Sequence, residues 1–161
     1  MIEPIETVAA VIDAIARAPL IIVPLVREVP NALLKRRPAP GRWSAHEQAC
    51  HLARVHALFF SRLDQMLREP APAITPYDPS SAEPEEFLLE MDLDDALQAY
   101  VSDRELLVER IRGLSEADWQ TRATHPEYSH YSVFIMFRHL ALHDFLHAYR
   151  IEEILLKREW T

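Results

Sequence analysis

Apolar positions recur at spacings of three and four over four long stretches of this chain, the periodicity of helices that each bury one face. In the first stretch Val8, Val11, Ile12, Ile15, Ile21, Ile22 and Leu25 carry the pattern and predict a helix from Glu3 to Glu28. Pro19 and Pro24 fall inside it. Each lacks an amide donor and crowds the preceding turn, so a kink is expected, or a break into two short helices. Residues 29–43 read as a connector ending in Arg37-Pro-Ala-Pro-Gly-Arg-Trp43. Ser44-Ala-His-Glu47 is then a capping box, in which Ser44 and Glu47 satisfy each other's backbone amides. It predicts a second helix from Ala45 to Arg68, with Leu52, Val55, Phe59, Leu63 and Met66 as the buried stripe.

Residues 69–86 hold five prolines and little apolar content, which predicts a long loop. A third helix is expected from Leu93 to Arg112, with Asp94 and Asp95 at its positive end and Gly113 as its cap. After a second connector, residues 114–131, the fourth helix runs from Ser132 to Lys157. It is apolar on nearly all sides and reads as a central, buried helix.

The expected architecture is all-α, a four-helix bundle forming one domain over residues 1–161. A chain of 161 residues favours a single domain and buries a core without covalent staples. Its only glycines are Gly41 and Gly113, too few for a phosphate-cradling loop.

Charge removes other classes. Lys and Arg number 17 against 25 Asp and Glu, a formal charge of −8 with no dense basic patch. That argues against nucleic acid and against docking on an anionic membrane surface. Cys50 is the only cysteine, so no intramolecular disulfide forms. The first residues lack the basic region of a signal peptide, and the apolar run Ala18–Val26 is too short to span a bilayer. A cytoplasmic protein acting on a small molecule is the expectation, with apolar helix faces that leave room for a homodimer.

The candidate chemistry lies in the eight histidines. His139, His143 and His147 are four apart on the fourth helix and span only about 80° of its circumference. Two imidazoles at i and i+4 can converge on one ion, and a working site needs a third ligand from elsewhere plus an open position. His51, one turn into the second helix, is the best candidate for that third ligand. His56 is about 140° away round the helix and cannot easily join it. His46, in the first turn, reads as solvated, and His139 as a core residue. An isolated pair of this kind is more often a pair of core or surface histidines than a metal site. The run His143-Asp144-Phe-Leu-His147 invites comparison with His-Glu-x-x-His zinc proteases, but Asp replaces the Glu that would act as base, and little chain follows to supply a third ligand.

Two segments carry a family resemblance. Arg37-Pro-Ala-Pro-Gly-Arg-Trp-Ser-Ala-His-Glu-Gln-Ala-Cys-His51-Leu resembles the start of the second helix of DinB/YfiT-like proteins, with Trp-Ser-x-x-Glu followed four residues later by His-Leu. Tyr131-Ser-Val-Phe-Ile-Met-Phe-Arg-His-Leu-Ala-Leu-His143-Asp-Phe-Leu-His147 resembles the family's last helix. The resemblance implies a four-helix bundle with a long crossover between its second and third helices. It also implies a divalent metal, zinc or nickel, on His51, His143 and His147. Relatives include metal-dependent transferases and isomerases that use low-molecular-weight thiols, and many have no known activity. Two departures fall at the implied substrate mouth: no glycine precedes the fourth helix, and Ala148-Tyr149-Arg150 stands where many members have a Gly-Gln pair.

The expected activity is thiol S-transfer to a small electrophile, with metal-dependent hydrolysis, or non-catalytic binding of a ligand or partner protein, as alternatives. Three neutral imidazoles leave the ion its full charge, which would acidify a coordinated water or thiol. Cys50 lies about 100° from His51 round the helix, so any thiol would come as a cosubstrate. Arg150, three residues beyond His147, either holds a substrate carboxylate or pairs with Glu153 on the surface. Asp144 either orients an imidazole or is solvated. Trp43 and Trp119 read as packing anchors at helix ends rather than substrate platforms.

Overall fold

The computed structural model describes residues 4–77 and 86–157, so positions 78–85 of the expected loop at 69–86 and the first residue of the expected first helix lie outside the described residues. Among the described residues there are seven helices: α1 (Pro4–Glu28), α2 (Asn31–Leu34), α3 (Ala45–Arg68), α4 (Phe87–Glu90), α5 (Leu93–Arg112), α6 (Glu116–Gln120) and α7 (Val133–Leu155). The four long ones, α1, α3, α5 and α7, form the bundle.

Side-chain caps set the boundaries of α3 and α5. Glu47 N–H donates to Ser44 Oγ, and the Ser44 amide donates to the Glu47 carboxylate at 2.8 Å. Asp92 caps α5 by accepting from the Asp95 amide. At the other end of α5, Gly113 ends the helix at φ −82°, so its freedom to adopt positive φ is not used. Gly41 is different: its φ of +72° makes the turn before Trp43.

No break divides α1, which continues through Pro19 and Pro24. Its fully buried positions Ile15, Ala18 and Ile22 pack on both sides of Pro19, which holds the helix together where local propensity would end it. Pro24 leaves the carbonyl of Leu20 without its helical donor, but Leu20 is 74% exposed and water can satisfy that oxygen. The apolar stretch also extends further than Ala18–Val26: Thr7–Glu28 has a mean hydropathy of 2.0 and is long and apolar enough to cross a membrane.

The core has two apolar halves. One joins Val11 and Ile15 of α1 to Phe59, Leu63 and Met66 of α3, Leu107 and Ile111 of α5, and Val133, Phe137 and Leu140 of α7. The other joins Ala18, Ile22 and Val26 to Ala45, Leu52, Leu97, Tyr100, Ala148 and Ile151. These memberships fix direction: α1 and α7 run parallel, and α3 and α5 run parallel in the opposite sense. Each helix packs on two neighbours in the cyclic order α1, α7, α3, α5. Because α3 and α5 are parallel neighbours, the chain must return along the bundle between them, and residues 69–77 and 86–92 belong to that long crossover. Part of the crossover is fastened to the second connector, with Ile74 N–H donating to Thr124 O and Thr124 N–H to Pro72 O.

Helix α7 is not buried all round. Leu142, Leu146 and Tyr149 are more than half exposed, because its packed neighbours cover only one side.

Candidate metal centre

A polar layer separates the two apolar halves. On α7 it lies between Ala141 and Ala148, on α5 between Tyr100 and Leu107, and on α3 it is met by His51, beside the buried Leu52. His51, His143 and His147 occupy the side of this layer where α3 faces α7.

The three rings converge. His143 Nε2 is 3.1 Å from His51 Nε2 and 3.1 Å from His147 Nε2. The ligand atoms of all three lie within 4.8 Å of one another. A tetrahedral zinc ion with Zn–N bonds of about 2.0–2.1 Å holds neighbouring nitrogens about 3.3 Å apart, close to the two short separations here. The three side chains therefore fit a divalent ion. Burial pushes His51 down to about 3, helped by the neighbouring His147 and His143. Burial and then His143 lower His147 to about 4. Both rings are thus neutral at pH 7, the form that ligates metals.

The surrounding residues orient these rings. Nδ1 of His147 donates to Oε1 of Gln48, one turn before His51 on the same face of α3. Sequence reasoning missed Gln48, although its i, i+3 relation to His51 was a visible signal. The Trp43 ring lies 4.8 Å from His51, centroid to centroid, and stacks at 6.1 Å on His147. It therefore packs on the candidate ligands themselves and lines the cleft described below, beyond the packing role expected for it. Trp119 does pack, edge-on to Phe137 in the core.

Asp144 is fully buried, and its carboxylate accepts two bonds from Arg104, at 2.8 and 2.9 Å, and one from Tyr100 OH at 3.1 Å. Burial favours its neutral form, but the His143 ring and the Arg104 guanidinium together hold its pKa below the usual range. His143 Nδ1 is 3.9 Å from Asp144 Oδ1, beyond hydrogen-bond reach, so the contact is purely electrostatic. The solvated reading of Asp144 does not hold. The bridge crosses the bundle diagonal from α5 to α7 and fixes the rotation of α7 beside the histidines.

The other histidines separate. His46 is buried rather than solvated, because α4 covers it and the backbone of Leu88 and Met91 lies against its ring. His139 is exposed rather than core, with its ring 6.4 Å from that of Tyr128. His56 stays apart on the α5 side, 3.8 Å from Asp103. Arg150 pairs with Glu153, donating to it at 2.8 Å, and its side chain also lines a cleft beside His147.

That cleft has a volume of about 520 Å³ and reaches the centre through Trp43, Gln48 and His147. Cys50 is close in sequence but fully buried among Leu88 and Ala96, and burial raises its thiol to about 12.

Comparison with known proteins agrees with this architecture. No curated protein matches the chain. Among solved structures, YfiT from Bacillus subtilis, described as a probable metal-dependent hydrolase with an unusual four-helix bundle topology, is similar at 20% identity. The match covers 96% of this chain and 88% of that one, with a TM-score of 0.83. Residues 14–151 match the family model of the DinB superfamily. With that match extending over most of its length, the chain belongs to the DinB superfamily.

Proposed function

We propose that this protein is a metal-dependent enzyme, hydrolytic in type, whose divalent ion is held by His51, His143 and His147. The observation that carries the reading is the convergence of three imidazoles, two pairs at 3.1 Å, beside an open cleft. The description of YfiT as a probable metal-dependent hydrolase supports it.

A zinc or nickel ion there supplies a Lewis acid that acidifies water toward neutral pH. The chain's own residues do the rest. Gln48 holds Nδ1 of His147, which leaves Nε2 of that ring as the lone-pair donor. Arg104 and Tyr100 keep Asp144 ionised beside His143, favouring a ring that carries its proton on Nδ1. Trp43 covers the rings on one side and leaves the cleft as the approach for a small substrate.

Transfer of a low-molecular-weight thiol is the finer alternative, and the family resemblance is its support. The protein has no thiol of its own for the purpose, since Cys50 is sealed in the core, so the thiol would be a cosubstrate. A metal held by the three histidines would acidify a water or a thiol alike.

The test is metal content after purification without a histidine tag. Near-stoichiometric zinc or nickel, bound as prepared or on addition, is the expected result. Less than about a tenth of an equivalent after addition would remove the reading. Metal binding only to the native state also raises the melting temperature, and His143→Ala should abolish that rise.

A further inference from the structure

The cleft beside His147 has a charge unlike that of the rest of the molecule. The chain carries −8 overall, yet the cleft is lined by three cationic side chains, Arg42, Arg150 and Lys157, against one acidic one, Glu153. These cations come from two separate parts of the chain brought to one opening. Arg42 stands on the turn that follows Gly41, whose φ of +72° only glycine adopts without strain. Arg150 lies three residues past His147 on α7 and Lys157 beyond the helix end. Lys157 Nζ donates to Pro38 O at 3.1 Å, which ties that end of the chain to the Arg42 turn. Trp43 supplies an apolar wall between this rim and the histidines.

A reversal of sign within a concave site concentrates anions from solution and repels the cations that an acidic protein otherwise gathers. Guanidinium groups bind carboxylate through paired, charge-assisted hydrogen bonds. Two arginines and a lysine around a cleft of about 520 Å³ suit a small molecule bearing two negative charges.

We propose that the substrate or cosubstrate of this protein is a small polycarboxylate. Its carboxylates are held by Arg42 and Arg150 with Lys157 at the rim, and its apolar body lies on Trp43 with the reacting end toward the three histidines. The reacting-end orientation rests on the metal-centre reading; the charge preference of the cleft does not. Glu153 partly neutralises Arg150 at 2.8 Å, and an incoming carboxylate takes over that role.

The experiment is calorimetric titration of the full chain with isophthalate and with its uncharged diamide, isophthalamide, in metal-free and zinc-treated protein at low salt. Isophthalate is expected to bind at least tenfold more tightly than the diamide in the metal-free protein, with the preference shrinking as salt is raised. Arg42→Gln and Arg150→Gln should each weaken isophthalate about tenfold and leave the diamide unchanged. Glu153→Gln should tighten isophthalate, an outcome that general loss of structure cannot produce. Equal affinity for the two probes, no binding of either, or an unchanged affinity in the double arginine variant would overturn the proposal. Zinc uptake, measured on the same samples, reports separately on the metal centre. A protein that takes no zinc yet prefers isophthalate keeps the cleft assignment and loses the hydrolase.

Discussion

Gln48 Oε1 accepts the Nδ1 proton of His147, and this one bond decides which nitrogen of His147 faces the other two imidazoles. With Nδ1 protonated, Nε2 presents its lone pair to the point where His51 and His143 also meet. Partners that fix the tautomer of a ligand commonly contribute 10–100-fold to metal affinity. Gln48→Leu keeps the volume and removes the acceptor. Zinc affinity, measured by competition with a chromophoric chelator, should fall about 10–100-fold while the fold is retained. An affinity unchanged within about twofold would show that the ring is oriented by packing against Trp43 instead.

The Arg104–Asp144 pair predicts an asymmetric mutational response. Both side chains are almost wholly buried, and each is the other's main counter-charge. Removing one strands the other in a medium of low dielectric, at about 3–5 kcal/mol. Arg104→Met should therefore lower the urea midpoint sharply. The double variant Arg104→Met with Asp144→Leu should recover much of that loss, since no buried charge remains. A double variant as unstable as the single one would mean that the pair contributes through specific packing of Tyr100 and α7 rather than through charge.

What could be read from the sequence depended on how local its cause was. The start of α3 follows from Ser44 and Glu47, whose side chains cap the helix beside them, and a neighbour-to-neighbour cause is visible in a string of residues; the equally local cap of α5 by Asp92 was passed over for the acidic first turn that follows it. The i, i+4 relation of His143 and His147 is equally local. Its meeting with His51 is not, and that pairing entered through family resemblance and position on the second helix. The continuity of α1 was hidden because packing of Ile15, Ala18 and Ile22 overrides two prolines. The burial of His46 was hidden because it depends on α4, a single turn too short for periodicity to reveal. The partners of Asp144 lie across the bundle diagonal, where no sequence spacing points.

Acid should destabilise the metal-free protein before its carboxylates protonate. In the unfolded chain His51 and His147 titrate near 6.5; in the fold they are lowered to about 3 and about 4. The unfolded state therefore binds more protons between those limits, and stability is full above 6.5 and falls as pH drops toward 4. By pH 5 each histidine should have removed on the order of 2 kcal/mol. Urea unfolding of metal-free protein at pH 7.5 and pH 5 checks this. His51→Phe should flatten the dependence by about half, and a flat curve in the unmutated protein would contradict the neutral burial of both rings.

Cys50 gives a test of the core that does not involve metal. Its side chain is fully buried beneath Leu88 and Ala96, and burial holds its thiol near 12. Both effects suppress reaction, since the thiolate is the nucleophile and the reagent must also reach it. Labelling with an aromatic disulfide at pH 8 should proceed only through opening of the α3–α4 contact, orders of magnitude more slowly than in urea-unfolded protein. If α4 opens alone, the rate will exceed that set by global unfolding, and Leu88→Ala will accelerate labelling more than it lowers the urea midpoint. Rapid labelling of the unmutated protein in native buffer would mean that α4 does not cover this face in solution, and the burial of His46 beneath the same turn would fall with it.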